Sequence, residues 1–345
     1  MDPLDRKKID EAGRVLVTSH PSPSQLEEAT RLINAWRFAH EKPLSLFYAG
    51  LFKKIHAISP PNTTSSRIKR LPSIKNKLDI IKKLNLSEFQ DIAGCRAVVM
   101  SIDQANELAE RMRKSPGEAF TFKRENNYIQ KPRESGYKSL HLIFEYADAH
   151  DPAFDGLQLE LQIRTYNQHF WATSVEVAGA FLGQKLKSGQ GDSEWLDFFR
   201  LASICLPDDL ADLAHKENFE KFAAIQDKLS DLSALYQKLD VKRRFEAYAF
   251  GLKAIQENRV LDEHLLIHLD LEKKLVRVIG FADFAEAYDK YCQDEQRSRS
   301  NPQVNIVLVS LETFKTLYQA YPNYFLDSSG FIFRLEETLA FTSRI

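Results

Sequence analysis

The sequence has little cysteine, no long apolar run and almost no net charge. Its three cysteines, Cys95, Cys205 and Cys292, lie far apart and form no CxxC pair, which argues against a disulfide framework and a cysteine-rich zinc site. No apolar run approaches the roughly 20 residues that cross a bilayer, and the first residues lack the apolar stretch of a signal peptide. We therefore expect a cytoplasmic protein without a membrane partner.

The charge is balanced overall but unevenly distributed. The chain has 47 Lys+Arg and 48 Asp+Glu, so no global attraction to a polyanion is expected, and we predict no DNA partner. Residues 206–345 hold 18 basic and 23 acidic residues, which leaves residues 1–205 at net +4. Between residues 53 and 83, nine basic residues accompany Asp79 as the only acidic one. Such a run is usually a solvated surface, but it also suits a polyanionic partner or a phosphate ligand.

The apolar periodicity of residues 1–205 predicts helices first and then mixed helices and strands. Ser22 precedes an amphipathic helical pattern that continues to His56 with a break near Pro43. The pattern then predicts strands over 95–100, 139–146 and 157–163, and a helix over 103–113. In the third strand, Glu160 and Gln162 share one face because successive side chains alternate.

The remainder of the chain has a different pattern. Residues 210–258 contain few Gly and Pro and predict a helical connector. Three strands over 265–271, 275–281 and 304–309, with helices over 282–296 and 311–318, then predict a small α+β unit. His264, His268 and Cys292 lie there, but their spacing fits no zinc pattern.

Three kinds of side chain in the middle of the sequence suit phosphoryl-type transfer on a nucleotide. Asp91, just before a strand, and Glu160, on a polar strand face, could hold Mg²⁺. In the turn after Pro132, Gly136 permits close backbone approach and Tyr137 offers a ring on which a base could stack. The candidate phosphate contacts are Arg67, Lys69, Arg70, Ser73 and Lys77. Each residue also has an ordinary structural explanation, and it is their joint occurrence that favours chemistry.

Four blocks in order carry a resemblance to a known family. They are Arg67-Ile68-Lys69-Arg70 with Ser73 and Lys77; Asp91-Ile92-Ala93-Gly94-Cys95-Arg96; Ser135-Gly136-Tyr137-Lys138-Ser139-Leu140-His141; and Glu160-Leu161-Gln162-Ile163-Arg164-Thr165. Together they resemble the signature of RelA/SpoT nucleotidyltransferase-like synthetases, over roughly residues 60–180. Long members of that family carry a hydrolase domain with an HD motif ahead of the synthetase, whereas His150-Asp151 lies inside the synthetase blocks. The resemblance therefore implies synthesis only.

The resemblance implies a fold, a reaction and residue roles. The fold is α+β: a five-stranded mixed sheet flanked by helices. The reaction transfers the β,γ-pyrophosphate of Mg²⁺-bound ATP to a ribose 3′-hydroxyl. Asp91 and Glu160 match the Mg²⁺ carboxylates, and Glu160 also matches a group that assists deprotonation of the hydroxyl. The matched ATP contacts are Arg67, Lys69, Arg70, Ser73, Lys77 and Arg133, the last standing where many relatives have Lys. The matched acceptor contacts are Tyr137, His141, Gln162 and Arg164.

The end of the chain carries a second, more limited resemblance. Tyr318-Gln319-Ala320-Tyr321-Pro322-Asn323-Tyr324 is similar to the C-terminal part of fused toxin-antitoxin members of the CapRel type. In those, a zinc-finger-like fold without zinc returns to the synthetase, and a Tyr-x-x-Tyr element blocks the ATP site until a phage protein relieves it. Two overlapping copies occur here, and the sequence does not distinguish the one that blocks. Half-buried aromatics closing a small core are the structural alternative.

Three functions remain open at this point. The first is a pyrophosphokinase acting on the 3′ CCA end of tRNA, inhibited by its own C-terminal domain and released by a phage protein. The second is an alarmone synthetase that makes (p)ppGpp from GDP or GTP. The third is a binding protein with an inactive transferase fold, which the retained Asp91, Tyr137 and Glu160 disfavour. The predicted division is a pyrophosphokinase (toxin) domain over 1–205, a helical connector over 206–260 and an antitoxin-like domain over 261–345.

Overall fold

The computed structural model describes residues 5–58, 63–147, 152–209, 222–246, 248–249, 262–270, 275–298, 304–310 and 324–342. Its contacts divide the chain into two compact units. The first unit comprises Met1–Lys131 and Ser139–Thr165, and the second comprises Pro132–Lys138 and Tyr166–Ile345. Among the described residues, no helix is long and apolar enough to cross a membrane.

The first unit is a mixed five-stranded sheet with helices. Its helices are α1 (Arg6–Leu16), α2 (Pro23–Ala39), α3 (Glu41–His56), α4 (Leu71–Ile80) and α5 (Ile102–Lys114). Its strands are β1 (Thr63–Ile68), β2 (Ala93–Val99), β3 (Phe120–Asn127), β4 (Leu140–Tyr146) and β5 (Leu157–Thr165). The strand order is β1-β2-β5-β4-β3, in which only the β2–β5 pair is parallel. The α+β class and the mixed sheet are therefore confirmed.

Local signals explain where these helices begin. Ser22 and Gln25 form a reciprocal capping box at the start of α2, with Pro23 in the first helical position. The break predicted near Pro43 occurs at His40, between α2 and α3. Pro43 lies in the first turn of α3, where a missing backbone N–H breaks no helical hydrogen bond.

The core of the first unit lies between α3 and the sheet. Phe47 of α3 is fully buried, with ring centroids 5.1 Å from Phe120 and 4.8 Å from Phe144. Alternate residues of β5, such as Leu159 and Leu161, are buried. This packing leaves the alternating polar residues of β5 on the other face of the sheet, as the sequence predicts.

The second unit contains helices and a smaller sheet. Its helices are α6 (Tyr166–Phe181), α7 (Ser193–Cys205), α8 (Gln226–Lys238), α9 (Phe284–Ser298) and α10 (Tyr324–Thr342). Its strands are β6 (His264–Asp270), β7 (Leu275–Phe281) and β8 (Val304–Ser310), which form an antiparallel sheet of order β7-β6-β8. The three strands and α9 match the predicted small α+β unit, whereas its zinc-finger-like character stays a prediction. The predicted helix over 311–318 lies outside the described residues.

The C-terminal helix α10 is part of the core of the second unit. Phe331 is fully buried, with ring centroids 6.3 Å from Phe198 and 6.1 Å from Phe199 of α7. A Cβ on Gly330 would lie 2.8 Å from the Phe170 ring of α6. The predicted boundaries at 205 and 260 thus differ from the observed division, because the end of the chain packs on helices that precede residue 205.

Candidate active site

Asp91 is held between two lysines just before β2. Lys69 Nζ donates to Asp91 Oδ2 at 2.8 Å, and Lys77 Nζ donates to Asp91 Oδ1 at 2.9 Å. Lys69 follows β1 and its backbone N–H bonds Ile92 O at 2.7 Å, while Lys77 comes from α4. The Lys77 ammonium also lies 4.5 Å from the centre of the Phe89 ring. The structure therefore brings together three residues that the sequence assigned to Mg²⁺ and ATP.

These ammonium groups keep Asp91 ionised. Burial would raise the pKa of the Asp91 carboxyl, and the charge of Glu160 acts in the same direction. The charges of Lys69 and Lys77 together outweigh both effects, so the pKa of Asp91 lies below its usual value.

Glu160 has both carboxylate oxygens engaged by neighbouring side chains. His141 Nδ1 lies 2.8 Å from Glu160 Oε1, and Gln162 Nε2 donates to Oε2 at 2.6 Å. Arg164 Nη2 donates to Gln162 Oε1 at 3.0 Å, which extends the chain along one face of β5. His141 reaches this face because β4 pairs with β5 and places it opposite Gln162. We call these four residues, with Lys69, Lys77 and Asp91, the carboxylate cluster.

The electrostatics make Glu160 a weak base. Burial would raise the pKa of Glu160, but the charge and hydrogen bond of His141, with Gln162 and Lys77, lower it to about 2. A carboxylate with so low a pKa stays ionised at neutral pH and has little affinity for a proton. These properties suit a metal ligand better than a general base.

The carboxylate cluster fits a magnesium ion that also binds a nucleotide. Among the described residues, no group of three or more His, Cys, Asp or Glu could form a metal site made by protein alone. Mg²⁺ is commonly bound through one or two carboxylates together with substrate phosphates and water. Asp91 and Glu160, close enough for the Glu160 charge to act on Asp91, supply that number. Lys69 and Lys77 could then exchange Asp91 for phosphate oxygens.

The other predicted ATP contacts of the first unit lie nearby in sequence and are more accessible. Arg67 is exposed on β1, where it pairs in register with Gly94. Arg70 is half-buried at the start of α4, and Ser73 is exposed in the first turn of that helix. Their positions are compatible with a phosphate ligand.

Tyr137 lies in the second unit, in the segment Pro132–Lys138, which we call the tyrosine turn. Its side chain is buried, with 5% exposure. The Arg133 guanidinium lies 5.5 Å and the Lys187 ammonium 5.9 Å from the ring centre, and the Trp171 ring is 6.5 Å away. A base that stacked on Tyr137 would have to displace a neighbour of the ring. Arg133, which the sequence grouped with the ATP contacts, thus lies beside the ring that was predicted to contact the acceptor.

The remaining residues that bear on the predicted site fall into three groups. Arg164 and His141, which were predicted to contact the acceptor, are 1% and 6% exposed. His141 lies against Glu160 and Arg164 donates to Gln162, and their role toward the acceptor stays a prediction. Lys187 beside Tyr137 was not predicted, because nothing in its local pattern distinguishes it from other surface lysines.

Tyr318 and Tyr321 lie outside the described residues. Tyr324 begins α10, and its predicted inhibitory role stays a prediction.

The middle of the chain matches a protein-family model. Residues 66–179 match the family model described as a region found in RelA / SpoT proteins. This region includes the whole carboxylate cluster and the tyrosine turn, so the resemblance seen in the sequence blocks is confirmed at this level.

Two curated relatives from Bacillus subtilis match over the same part of the chain. GTP pyrophosphokinase YwaC is 32% identical over 127 residues, which are 35% of this chain and 60% of the relative. GTP pyrophosphokinase YjbM is 33% identical over 119 residues, which are 33% of this chain and 54% of the relative. The matches thus span little more than half the length of these relatives.

Solved structures give a weaker similarity. The small alarmone synthetase 1 of Bacillus subtilis, bound to its product pppGpp, aligns with a TM-score of 0.44 and 22% identity. That alignment covers 58% of this chain and 99% of the other.

Proposed function

We propose that this chain is an ATP-dependent pyrophosphokinase. The oxygen of a ribose 3′-hydroxyl attacks the β-phosphorus of ATP, the bond from that phosphorus to the α,β-bridging oxygen breaks, and AMP leaves while the hydroxyl proton is released. The observation that carries the proposal is Asp91 held between Lys69 and Lys77 at 2.8 and 2.9 Å in a RelA/SpoT region.

Each part of the carboxylate cluster has a role in this reaction. Asp91 and Glu160 would hold Mg²⁺, which offsets charge on the transferred phosphates when bound. Lys69 and Lys77 would pair with phosphate oxygens, and fixed cations of this kind stabilise charge that develops during phosphoryl transfer. Because the pKa of Glu160 is about 2, we assign it to metal binding and to orienting His141 rather than to proton abstraction.

The acceptor we favour is the 3′ CCA end of tRNA, so that the reaction stops translation. Its support is the basic run over residues 53–83 and the tyrosine-rich end that is similar to CapRel-type proteins. The alternative acceptor is GDP or GTP, and the specific observation in its favour is that both curated relatives are named GTP pyrophosphokinases.

The test is to incubate the full chain with γ-labelled ATP and either deacylated tRNA or GDP, with Glu160→Gln as the inactive control. Label on tRNA supports the favoured acceptor. Label on GDP alone replaces it by the alarmone alternative. Absence of label on both acceptors, from the wild type and from a variant whose C-terminal tyrosines are replaced, would remove the transferase proposal.

We also propose that the tyrosine-rich end inhibits the enzyme until a phage protein binds. A closed state favoured by about 3–4 kcal/mol would hold activity near 1% or below, and a partner selective for the open state would reverse it. The packing of α10 on α7 means that deleting residues 261–345 would expose the core of the second unit. Point substitutions are therefore the appropriate test.

Replacing Tyr318, Tyr321 and Tyr324 together by Ala should make the chain toxic in bacteria and arrest protein synthesis. Adding Glu160→Gln should abolish the toxicity, because the carboxylate is required for transfer whereas misfolding would persist. A harmless triple variant that remains folded, together with constitutive (p)ppGpp synthesis by the wild type, would reject the inhibitory role and favour the alarmone alternative.

A further inference from the structure

We propose that Asp208 is a positioning residue for the acceptor: acting through Lys138, it fixes the tyrosine turn that carries Tyr137. The inference rests on the proposed function for its kinetic consequence. Its structural part concerns the second unit alone. Asp208 follows α7 and lies outside the residues that match the RelA/SpoT region.

The first observation is a partly buried ion pair at the end of the turn. Lys138 Nζ donates to Asp208 Oδ1 at 2.9 Å, with side-chain exposures of 13% and 29%. Gln168 Nε2 of α6 lies 3.2 Å from the same oxygen. An ion pair in such surroundings is less screened than a surface pair, so it restrains both partners.

The second observation is that the backbone around Asp208 is itself fixed. Asn167 Nδ2, from the first turn of α6, donates to Pro207 O and to Asp209 O, both at 2.9 Å. Asn167 is 2% exposed. The carboxylate of Asp208 therefore stands on a segment tied to α6 on both sides, and an anchored segment can hold another one in place.

The third observation concerns Gly136, the residue that precedes Tyr137. Ser203 of α7 donates its hydroxyl to the Gly136 carbonyl. Gly136 has φ of +90°, and a Cβ there would lie 2.9 Å from Ser203 Cβ and 3.3 Å from Arg200 Cα. Only glycine permits this approach without a shift of α7. Gly136 and Lys138, the two neighbours of Tyr137, are thus both held by residues 203–208.

These contacts determine the orientation in which the Tyr137 ring can meet a base. Stacking on a base depends on the orientation of the ring, and a turn that had to order on binding would weaken acceptor affinity. The restraints act on the tyrosine turn and not on Asp91 or Glu160. We therefore expect Asp208 to affect the acceptor and to leave ATP binding unchanged.

The experiment measures steady-state kinetics of full-length Asp208→Asn against both substrates. We expect the KM for the acceptor to rise about tenfold, as the loss of a partly buried charge pair permits, with the KM for ATP unchanged. Asp197→Asn is the matched control, since Asp197 forms an exposed ion pair with Arg200 on the same helix. It should leave both constants unchanged.

A double-mutant cycle shows whether Asp208 acts through Lys138. If it does, Lys138→Met combined with Asp208→Asn should raise the acceptor KM no further than either single change. The exchanged pair, Lys138→Asp with Asp208→Lys, should recover part of the loss if it folds. Additive effects in the cycle would overturn the proposal, as would an equal rise in the KM for ATP or an acceptor KM that Asp208→Asn does not change.

A second readout separates this inference from the proposed function. Amide hydrogen exchange of residues 132–138 should accelerate in Asp208→Asn but not in Asp197→Asn. If the wild type labels no acceptor, the proposed function fails and exchange still decides whether Asp208 fixes the turn. If the wild type is active and exchange is unaltered in Asp208→Asn, the positioning role is rejected while the proposed function stands.

Discussion

The carboxylate cluster of the first unit and the tyrosine turn of the second are held by different forces. In the cluster, charged side chains bind one another, as Lys69 and Lys77 bind Asp91. Around the central residues of the turn, backbone and rings dominate, as where Ser203 bonds the Gly136 carbonyl. An ion pair can exchange its partner for a charged ligand, whereas a packed ring moves only if its neighbours repack. Substitutions in the cluster should thus act through charge, and those at Gly136 and Tyr137 through shape.

The largest expected effect comes from removing either carboxylate of the cluster. Asp91→Asn or Glu160→Gln should lower pyrophosphate transfer by roughly a thousandfold or more, because each change removes a proposed Mg²⁺ ligand while keeping side-chain volume. The labelled-ATP assay measures the loss. Asp79→Asn, an exposed carboxylate on α4, is the control and should transfer at the wild-type rate. Activity within about tenfold of wild type would remove the residue from the metal site.

The next largest effect tests whether the aromatic face or the hydroxyl of Tyr137 contacts the acceptor. Tyr137→Leu, which keeps apolar volume without an aromatic face, should weaken acceptor binding by about 1–3 kcal/mol, a factor of about 5–150. Tyr137→Phe should retain most of the affinity. Acceptor titrations measure both, and thermal unfolding checks that the buried site is still packed. If Phe weakens binding as much as Leu, the hydroxyl makes the important contact and stacking is the wrong explanation.

The sequence allowed the polar residues of the cluster to be predicted better than their partners. The alternation in β5 correctly put Glu160 and Gln162 on one face, since the period of a strand is visible in sequence. That His141 would bind Glu160 could not be predicted, because it depends on the register between β4 and β5. The sequence assigns Lys69 and Lys77 to phosphate and does not predict their pairing with Asp91.

The surroundings of the tyrosine turn could not be predicted because they come from distant parts of the chain. Gly136 correctly indicated a close backbone approach, but the approaching residue, Ser203, lies 67 positions later. The same is true of Asp208, 70 positions after Lys138. The packing of the end of the chain was hidden for a related reason: composition showed a change of pattern near residue 205 but not the contact of α10 with α7.

A smaller effect tests RNA as the acceptor through the basic surface of the first unit. Lys53 and Lys54 lie in the last turn of α3, and Lys82 and Lys83 follow α4, outside the carboxylate cluster. Reversing all four to Glu should weaken tRNA labelling and flatten its dependence on salt, because fewer counterions are released on binding. Affinity for ATP should change little. Four Gln substitutions should give a smaller change in the same direction, and an unaltered salt dependence would place RNA on another surface.

The smallest effect is a shift in pH dependence that tests the charge of His141. A lowered pKa means that the native state favours the ionised carboxylate, so the stability that Glu160 contributes is present above the ordinary pKa of a glutamate and is lost as pH falls through about 2. His141 supplies the largest influence that opposes burial. His141→Asn should therefore raise the pKa of Glu160 and move the acid loss of activity and of melting temperature to higher pH.

The measurement is a pair of pH profiles, one of kcat/KM and one of melting temperature, for the wild type and for His141→Asn. His20→Asn, an exposed histidine before α2, is the control and should leave both profiles unchanged. The shift must appear in both profiles, because a change in kcat/KM alone could come from a lost contact between His141 and the substrate. If neither acid limb moves, His141 is not charged beside Glu160, and the low pKa of that carboxylate must come from Gln162 and Lys77.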